Sequence, residues 1–318
     1  MSNIEFLIIS SKLDFTTDYI CLELERRRLK YLRLNRDEFR NYEIIFNLND
    51  LTLQVKIENK IYSLSEDTLK AIYYRAPIFL RDIYQPDIDV EEQLYRSQWT
   101  AFIRNLTIFE KVKWVNNPIS TFKAENKLLQ LKYAARTGFE IPRTLVTNSN
   151  NLNINPLENY IVKTIDTALL RTENKEAFIY SSVVKGSEVL DSYISTSPLV
   201  LQDYIHPKVD VRVTVIGDKV YPVKIEKDGE GIDGDWRLEK YNISYIPFNL
   251  PQKIEQYCVE VVKALDLAFG GIDLIESEGK YYFIEVNPTG EWAWLVDNAD
   301  LKIYKGICDY LESKEDYD

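Results

Sequence analysis

The sequence predicts an α/β domain at the N-terminus followed by a two-part α+β region. Strand and helix patterns alternate over the first third of the chain, and strands dominate from Pro198 onward. A chain of 318 residues is too long for one ordinary core, and its 45% hydrophobic content is that of a globular protein. We therefore expect three domains, with boundaries at residues 1–118, 119–195 and 196–318.

Short apolar runs between Asn/Asp turns predict the strands of the N-terminal domain, and longer periodic segments predict its helices. The predicted strands are residues 4–9, 31–34, 43–48, 51–57, 60–64 and 71–75, with a short one at Trp114. The predicted helices are residues 14–29 and 90–111. This alternation is typical of an α/β domain.

In the second region, Ser120 is the predicted cap of a helix that runs to Thr137 and stops at Gly138. Another helix has Pro251 in its first turn and extends to Leu267. The predicted strands are residues 142–147, 160–165, 199–204, 209–216 and 220–226, and the last helix is 301–311.

Two late apolar runs, residues 270–275 and 281–288, predict a hairpin. We expect a three-residue turn at 277–279 with its glycine in the left-handed conformation. Because side chains alternate along strands, the odd-numbered residues of both runs would then share one face. A two-residue turn would instead reverse the faces of one strand.

Three side chains with oxygen atoms lie on that predicted face. Asp273 would be diagonally across from Glu285, and Asn287 follows Glu285 on the same side. Oxygen ligands held on rigid strands suit Mg²⁺, which also keeps room for water and phosphate. The hairpin therefore predicts a nucleotide-phosphate site, and the alternative is a half-exposed hairpin whose acidic residues face water.

A phosphate site without a P-loop needs lysine and arginine side chains, and the sequence contains no G-x-x-x-x-G-K-[ST] motif. Lys163 interrupts an apolar strand, whereas Lys127 lies on a helix, where a solvated lysine is the alternative. Asp210 and Arg212 share one face of a strand, and the alternative interpretation is that they form surface ion pairs across strands. Arg237 follows a glycine-rich loop that could close over a ligand.

That loop, residues 229–234, has the spacing G-x-G-x-x-G of dinucleotide-binding sites. No helical pattern follows it, and its acidic residues would repel a pyrophosphate. We therefore interpret residues 228–235 as a mobile loop and a candidate lid, together with residues 166–175.

Composition disfavours several function classes. The net charge of −11 opposes nucleic-acid binding, which depends on basic patches. No apolar run approaches the ~20 residues needed to cross a membrane, and the N-terminal segment lacks the basic region of a signal peptide. We therefore expect no nucleic-acid or membrane partner and a cytoplasmic location. Three scattered cysteines and a single histidine, His206, also disfavour zinc, Cys/His and Ser/His/Asp chemistry.

The order of these segments resembles the ATP-grasp superfamily over about the last two thirds of the chain. The segments that carry the resemblance are residues 126–131, 138, 141–147, 161–163, 201–205, 210–217 and 284–288. The first third, with Tyr74-Arg75-Ala76-Pro77, is similar to the additional N-terminal domain of such ligases. Asp235-Trp236-Arg237 and residues 287–294 most resemble the peptide-modifying ligases of microviridin-type, or graspetide, biosynthesis.

The resemblance implies an ATP-grasp fold that holds ATP between two β layers. It implies that Lys127 and Lys163 bind phosphates and that Asp210 lies near the ribose or the phosphates. The main chain around Gln202, Tyr204 and Ile205 would meet adenine. Mg²⁺ would bind Asp273, Glu285 and Asn287. Arg212 and Arg237 would be the catalytic residues.

The resemblance also implies a substrate. Graspetide ligases join side-chain carboxylates of a ribosomal precursor peptide, with its leader and core, to Thr or Ser hydroxyls or to Lys amines. One alternative is a ligase for free amino acids or small peptides, similar to glutathione synthetase or to glutamate-adding ligases. Another alternative is a nucleotide-binding partner without catalysis. A homodimer and a monomer are both left open by the sequence.

Overall fold

The computed structural model describes residues 2–75, 88–149, 151–165, 169–172, 175–192, 196–239 and 241–313, and only the main chain of residues 169–172 and 175–178. Ala76, Pro77 and part of the candidate lid at 166–175 lie outside these ranges. Within the described residues, each helix is too short or too polar to span a bilayer.

The first part of the chain contains a series of short strands and two long helices. The strands are β1 (Ser2–Asn3), β2 (Phe6–Ser10), β3 (Tyr31–Asn35), β4 (Tyr42–Asn47), β5 (Thr52–Ile57), β6 (Lys60–Ser65), β7 (Ala71–Tyr74) and β8 (Lys113–Val115). The helices are α1 (Phe15–Arg26) and α2 (Val90–Asn105). These elements match the predicted order, with end points shifted by a few residues.

Strands outnumber helices in the remainder of the described chain. The helices are α3 (Pro118–Ala124), α4 (Lys127–Thr137), α5 (Gly186–Asp191), α6 (Gln252–Ala264), α7 (Ala293–Ala299) and α8 (Ile303–Glu312). The strands are β9 (Thr144–Thr147), β10 (Asn159–Lys163), β11 (Leu169–Thr172), β12 (Lys175–Phe178), β13 (Ser182–Lys185), β14 (Leu199–Asp203), β15 (Val209–Ile216), β16 (Lys219–Lys227), β17 (Ile243–Pro247), β18 (Phe269–Ser277) and β19 (Lys280–Asn287).

The chain forms two compact units, and neither is one continuous segment. Unit 1 comprises Met1–Phe122, Asp266–Gly270 and Pro288–Asp318, and unit 2 comprises Lys123–Leu265 and Gly271–Asn287. Unit 1 contains a parallel sheet of order β3-β2-β7-β8 and a second sheet of order β1-β6-β5-β4. The three-domain division predicted from the sequence stays a prediction.

The last helix completes the core of unit 1. Ile307 and Leu311 of α8 are buried, as are Ile20 and Leu24 of α1. Arg27, which follows α1, donates hydrogen bonds to Asp309, at 2.9 Å, and to Glu312. The burial of these leucine and isoleucine side chains is the main force that holds the two helices together, because ion pairs near the surface contribute little.

Arg75 lies at the end of β7 and is buried within unit 1. It pairs with Asp14 at 3.1 Å and with Glu291 at 2.9 Å. Its guanidinium also donates to the main-chain carbonyls of Thr289 and Gly290. Arg75 therefore fixes the loop that follows β19 in the chain, and both of its charged partners offset the cost of burial.

Unit 2 is built on two antiparallel sheets, of order β13-β10-β14-β9 and β17-β16-β15-β18-β19. A separate pair, β11 and β12, also belongs to this unit. One face of β15 carries the buried residues Val211, Val213 and Val215, as its alternating pattern predicts. The polar residues of the opposite face, among them Asp210 and Arg212, are thereby directed away from that apolar layer.

The continuous helix predicted from Ser120 to Thr137 is wrong. Helix α3 ends at Ala124, and Asn126 begins a new helix by accepting a hydrogen bond from the main-chain N–H of Leu129 at 3.0 Å. Asparagine competes with helical hydrogen bonds through its own side chain, so it favours the cap over the helix interior. Lys127 therefore occupies the first helical position.

The predicted three-residue turn between β18 and β19 is also wrong. Ser277 faces Lys280 across a two-residue turn in which Glu278 and Gly279 have φ of 49° and 77°. Two positive φ values are characteristic of the tightest hairpin turns, and glycine adopts them readily whereas glutamate rarely does. The sequence therefore predicted a positive φ at Gly279 alone and not at Glu278.

A β-bulge in this hairpin restores the side-chain orientation that the shorter turn would have reversed in one strand. Leu274 faces Phe283 and Asp273 faces Glu285, so Ile284 is the extra residue on β19. Asp273 is consequently directly opposite Glu285 rather than diagonal to it. Asp273, Glu285 and Asn287 therefore share a face, as predicted, but the cause is the bulge and not the predicted turn.

Candidate functional site

A cavity of about 420 Å³ opens within unit 2 between its two sheets. Its walls contain nearly all the site residues predicted from the sequence, namely Lys127, Lys163, Gln202, Tyr204, Ile205, Asp210, Arg237, Asp273, Glu285 and Asn287. Arg212 is the exception, and it contacts the site through Asp273. The volume is within the range of small-molecule sites.

The hairpin brings two carboxylates and one carboxamide together. The Asn287 amide nitrogen lies 3.4 Å from an Asp273 oxygen and 3.4 Å from a Glu285 oxygen. Among the residues that the structure describes, no three His, Cys, Asp or Glu side chains form a metal-binding group. The set therefore offers two carboxylates, and half a turn of the Asn287 amide would present its carbonyl oxygen as the third protein ligand.

The two carboxylates of this trio are buried close to each other and to several cationic side chains. Burial raises the pKa of Asp273, and the neighbouring Glu285 raises it further, although Arg212 opposes both effects from 2.7 Å. Burial also penalises the Glu285 carboxylate, but Lys127 at 3.0 Å and the nearby Arg237 outweigh that cost and lower its pKa. Two buried carboxylates that repel each other are stabilised by a divalent ion, so the residues present fit Mg²⁺.

Lys163 projects from β10 into the cavity and not into solvent. Its ammonium donates to the side-chain oxygen of Gln202 at 3.0 Å, and the Gln202 amide donates to the Thr144 hydroxyl at 2.8 Å. Burial lowers the pKa of Lys163 to about 8. Glu285 and Asp273 offset this effect only in part, so the Lys163 ammonium is suited to bind an anion.

Asp210 has a partner that the sequence did not point to. Lys208 forms an ion pair with it, and the Lys208 side chain is only 4% exposed. Burial raises the pKa of Asp210 to about 6, although Lys208 opposes that rise. Arg212 pairs with Asp273 on the neighbouring strand β18, and this ion pair across strands is largely buried and not at the surface, whereas Asp210 pairs with Lys208. The spacing of Lys208 and Asp210, two residues apart at the start of a strand, was the available signal.

The segment after β14 forms part of the cavity wall and touches the glycine-rich loop. The Tyr204 ring stacks on His206 with centroids 5.6 Å apart, and its hydroxyl donates to Asp233 at 3.3 Å. Arg237, at the end of the loop, pairs with Asp235 at 2.8 Å. The C-terminal end of the loop is therefore held by two residues that line the cavity, Tyr204 and Arg237.

The three cysteines, Cys21, Cys258 and Cys308, are free and buried, as expected. Burial raises the pKa of each thiol, which makes the reactive thiolate scarce. None of them lines the cavity. The chemistry of the site therefore depends on oxygen and nitrogen groups.

Residues 124–311 match the model of the RimK-like ATP-grasp domain. The tetrahydromethanopterin:alpha-L-glutamate ligase of Methanocaldococcus jannaschii is 27% identical over 242 residues, which cover 68% of this chain and 78% of that protein.

Solved structures agree over nearly the whole chain. A RiPP-associated ATP-grasp ligase of Chryseobacterium gregarium, in complex with ADP and a leader and core peptide, superposes with a TM-score of 0.79. It is 25% identical, and the match covers 98% of this chain and 96% of that one. The macrocyclase MdnC of Microcystis aeruginosa, bound with its precursor peptide MdnA, has a TM-score of 0.79 at 22% identity, covering 96% and 98% of the two chains. The predicted ATP-grasp fold is confirmed.

Proposed function

The chain belongs to the RimK-like ATP-grasp domain family and is an ATP-dependent ligase, and from that premise we propose that it modifies a ribosomal precursor peptide. In this proposal it activates Asp or Glu side chains of the peptide and joins them to Thr or Ser hydroxyls or to Lys amines. The observation that carries the chemistry is the cavity of unit 2, where two carboxylates, one carboxamide and several cations converge.

In the proposed complex, Lys127 and Lys163 bind the phosphates of ATP. The segment from Gln202 to Ile205 accommodates adenine, and Asp210 lies near the ribose or the phosphates. Both lysines line the cavity, so their ammonium groups are available to an anion bound there. Asp273, Glu285 and Asn287 hold Mg²⁺, which neutralises negative charge on the phosphates when bound.

The reaction proceeds in two displacements. A substrate carboxylate oxygen forms a bond to the γ-phosphorus as ADP leaves, and a hydroxyl or amine then attacks the acyl carbon as phosphate leaves. The lysines reduce the repulsion between the carboxylate and the phosphates in the first displacement. Walls that exclude water limit hydrolysis of the activated acyl group in between.

Arg212 and Arg237 act on the charge that develops during both displacements. The Arg237 guanidinium is anchored by Asp235 and lies 3.9 Å from Glu285, so it is held within the cavity. Arg212 is positioned by Asp273 at 2.7 Å. Removing an arginine of this kind is expected to cost about 3 kcal/mol of transition-state stabilisation, as for loss of an oxyanion donor.

Support for a peptide substrate comes from the similar ligase of Chryseobacterium gregarium, which binds a leader and core peptide and matches 98% of this chain. The rival substrate is a free amino acid, because the glutamate ligase of Methanocaldococcus jannaschii is also similar. Both substrates require the same activation of a carboxylate, so the cavity alone does not discriminate between them.

Co-expression with any short acidic peptide encoded near the ligase gene tests the proposal. Mass spectrometry should show the loss of one water for each linkage formed, and the Asp273→Asn variant should leave the peptide unmodified. An unmodified peptide together with ADP release on free glutamate would favour the rival substrate. Nucleotide binding without turnover on either substrate would indicate a partner without catalysis.

A further inference from the structure

We propose that Gln130 is a positioning residue whose buried carboxamide holds the ligand-bearing end of β19 against the helix that carries Lys127. This inference rests on the Mg²⁺ ligands proposed above, but it does not depend on the identity of the peptide. Gln130 is 2% exposed, lies within unit 2 and does not line the cavity.

The Gln130 carboxamide forms three hydrogen bonds with main-chain groups. Its amide nitrogen donates to the carbonyl of Val286 at 2.8 Å and to the carbonyl of Ala124 at 2.5 Å. Its oxygen accepts from the main-chain N–H of Val286 at 3.0 Å. Both N–H donors and the acceptor are therefore satisfied, which is the pattern of a built contact in a buried position.

The contact has a specific place in the sheet. β19 is an edge strand of the order β17-β16-β15-β18-β19, so alternate main-chain groups point away from β18. The N–H and C=O of Val286 are two such groups, and Gln130 pairs with both in the manner of a neighbouring strand. Further along the same edge, the N–H of Phe283 donates to the carbonyl of Glu140 at 2.9 Å.

Val286 separates the two ligand residues of β19. Its side chain is buried, so the side chains of Glu285 and Asn287 point toward the opposite face, where the cavity lies. The hydrogen bonds of Gln130 to the main chain of Val286 therefore restrain both neighbouring ligand residues without using the Glu285 carboxylate or the Asn287 carboxamide.

The same side chain also places a phosphate-binding lysine. Gln130 lies about one helical turn after Lys127 on α4. Lys127 reaches the Glu285 carboxylate at 3.0 Å, and this separation depends on how α4 is seated on β19. Gln130 therefore couples the position of the first lysine to the position of the metal ligands. Residues behind metal ligands commonly change metal affinity about 10- to 100-fold when they are replaced.

The test measures ADP affinity by calorimetry, with Mg²⁺ and with EDTA, for the wild type and for Gln130→Met. Methionine keeps the length of the side chain but none of its hydrogen bonds. We expect the gain in affinity that Mg²⁺ provides to fall about tenfold in the variant, with a smaller change in EDTA. The matched control is Leu131→Ala on the same helix, which should lower the thermal midpoint and leave the Mg²⁺ gain unchanged.

Hydrogen exchange supplies a readout that needs neither nucleotide nor metal. The Val286 amide should exchange faster in Gln130→Met than in the wild type. Gln130→Asn, whose carboxamide is one methylene too short to span the gap, should behave in the same way if the methionine variant does not fold.

An unchanged Mg²⁺ gain in a folded Gln130 variant would overturn this inference alone. A wild type without any Mg²⁺ gain would overturn the proposed ligand trio and this inference with it.

Discussion

Lys163 shows how one residue acquires its chemistry from its surroundings. In the sequence it is a lysine within an apolar strand, and in the structure its ammonium lies in the cavity with Gln202 as its hydrogen-bond partner. Burial is the main reason that its pKa falls to about 8. Phosphate in the cavity would favour the charged form and raise that pKa again.

Binding of ATP should therefore be accompanied by proton uptake at Lys163. The uptake is expected between the pKa of the free protein, about 8, and the higher pKa of the complex. At pH 6 the lysine is already protonated in both states, so the effect should disappear. Calorimetry in buffers of different ionisation enthalpy measures the protons directly. Lys163→Met should abolish the uptake, and an uptake that persists in this variant would assign it to another group.

Gly271 is a second residue whose role depends on its neighbour. A Cβ atom at this position would lie 2.4 Å from the Arg212 guanidinium. The guanidinium therefore lies directly on the main chain of β18, and only glycine leaves it room.

Gly271→Ala should displace Arg212 from Asp273. We expect kcat to fall about 10- to 100-fold, since the loss is smaller than that of a complete oxyanion donor, and stability to fall by about 1–3 kcal/mol from overpacking. Turnover assays and chemical denaturation check the two values. Arg212→Lys, which keeps the charge but not the planar fork, should lower kcat with little effect on stability. An alanine variant with normal kcat would show that Arg212 needs no such space.

At the scale of elements, the hairpin shows how far the sequence predicts the site. Alternation and residue type were sufficient to place Glu285 and Asn287 on one face, but Asp273 joins them only because a bulge compensates for the shorter turn. The turn and the bulge were not predictable, because a positive φ at Glu278 is rare and an extra residue at Ile284 leaves no signal in the pattern.

Other contributions to the site also depend on packing between distant elements. Lys208 and Gln130 acquire their roles only when buried carboxylate or main-chain groups approach them. By contrast, most strands and helices of the first part of the chain could be predicted because they carry their own period, whereas β11–β13, β17, α5 and α7 were not predicted.

The start of α4 allows a prediction at this scale. Asn126→Ala removes the cap of the helix, and it should destabilise the protein by about 1 kcal/mol. Lys127 is the first residue of the same helix, so fraying there should also weaken ATP binding. Chemical denaturation and calorimetry measure the two effects. Asn126→Asp retains a capping oxygen and should restore stability, and equal stability of all three proteins would contradict the assignment of the cap.

At the scale of the whole molecule, the two units are interleaved in sequence. Unit 1 begins at the N-terminus but is completed by Pro288–Asp318, whereas unit 2 ends at Asn287. Each residue assigned to the candidate site belongs to unit 2. The last helix is therefore a structural part of the first unit.

Leu311 tests the importance of that helix. Leu311→Ala creates a cavity in the core of unit 1 and should lower the free energy of unfolding by about 2–5 kcal/mol. Leu22→Ala on α1 is the matched control, because Leu22 is 63% exposed and its loss should change stability by less than about 0.5 kcal/mol. Denaturation followed by tryptophan fluorescence measures both. Similar values for the two variants would mean that α8 contributes little to the core.

This interleaving also sets an order of events while the protein is being made. On the ribosome, every segment of unit 2 has been synthesised once Asn287 has been added, while unit 1 still lacks α8. Until α8 emerges, the apolar surface of Ile20 and Leu24 has no permanent cover, so a nascent chain that stalls between Asn287 and α8 would expose a surface that chaperones bind.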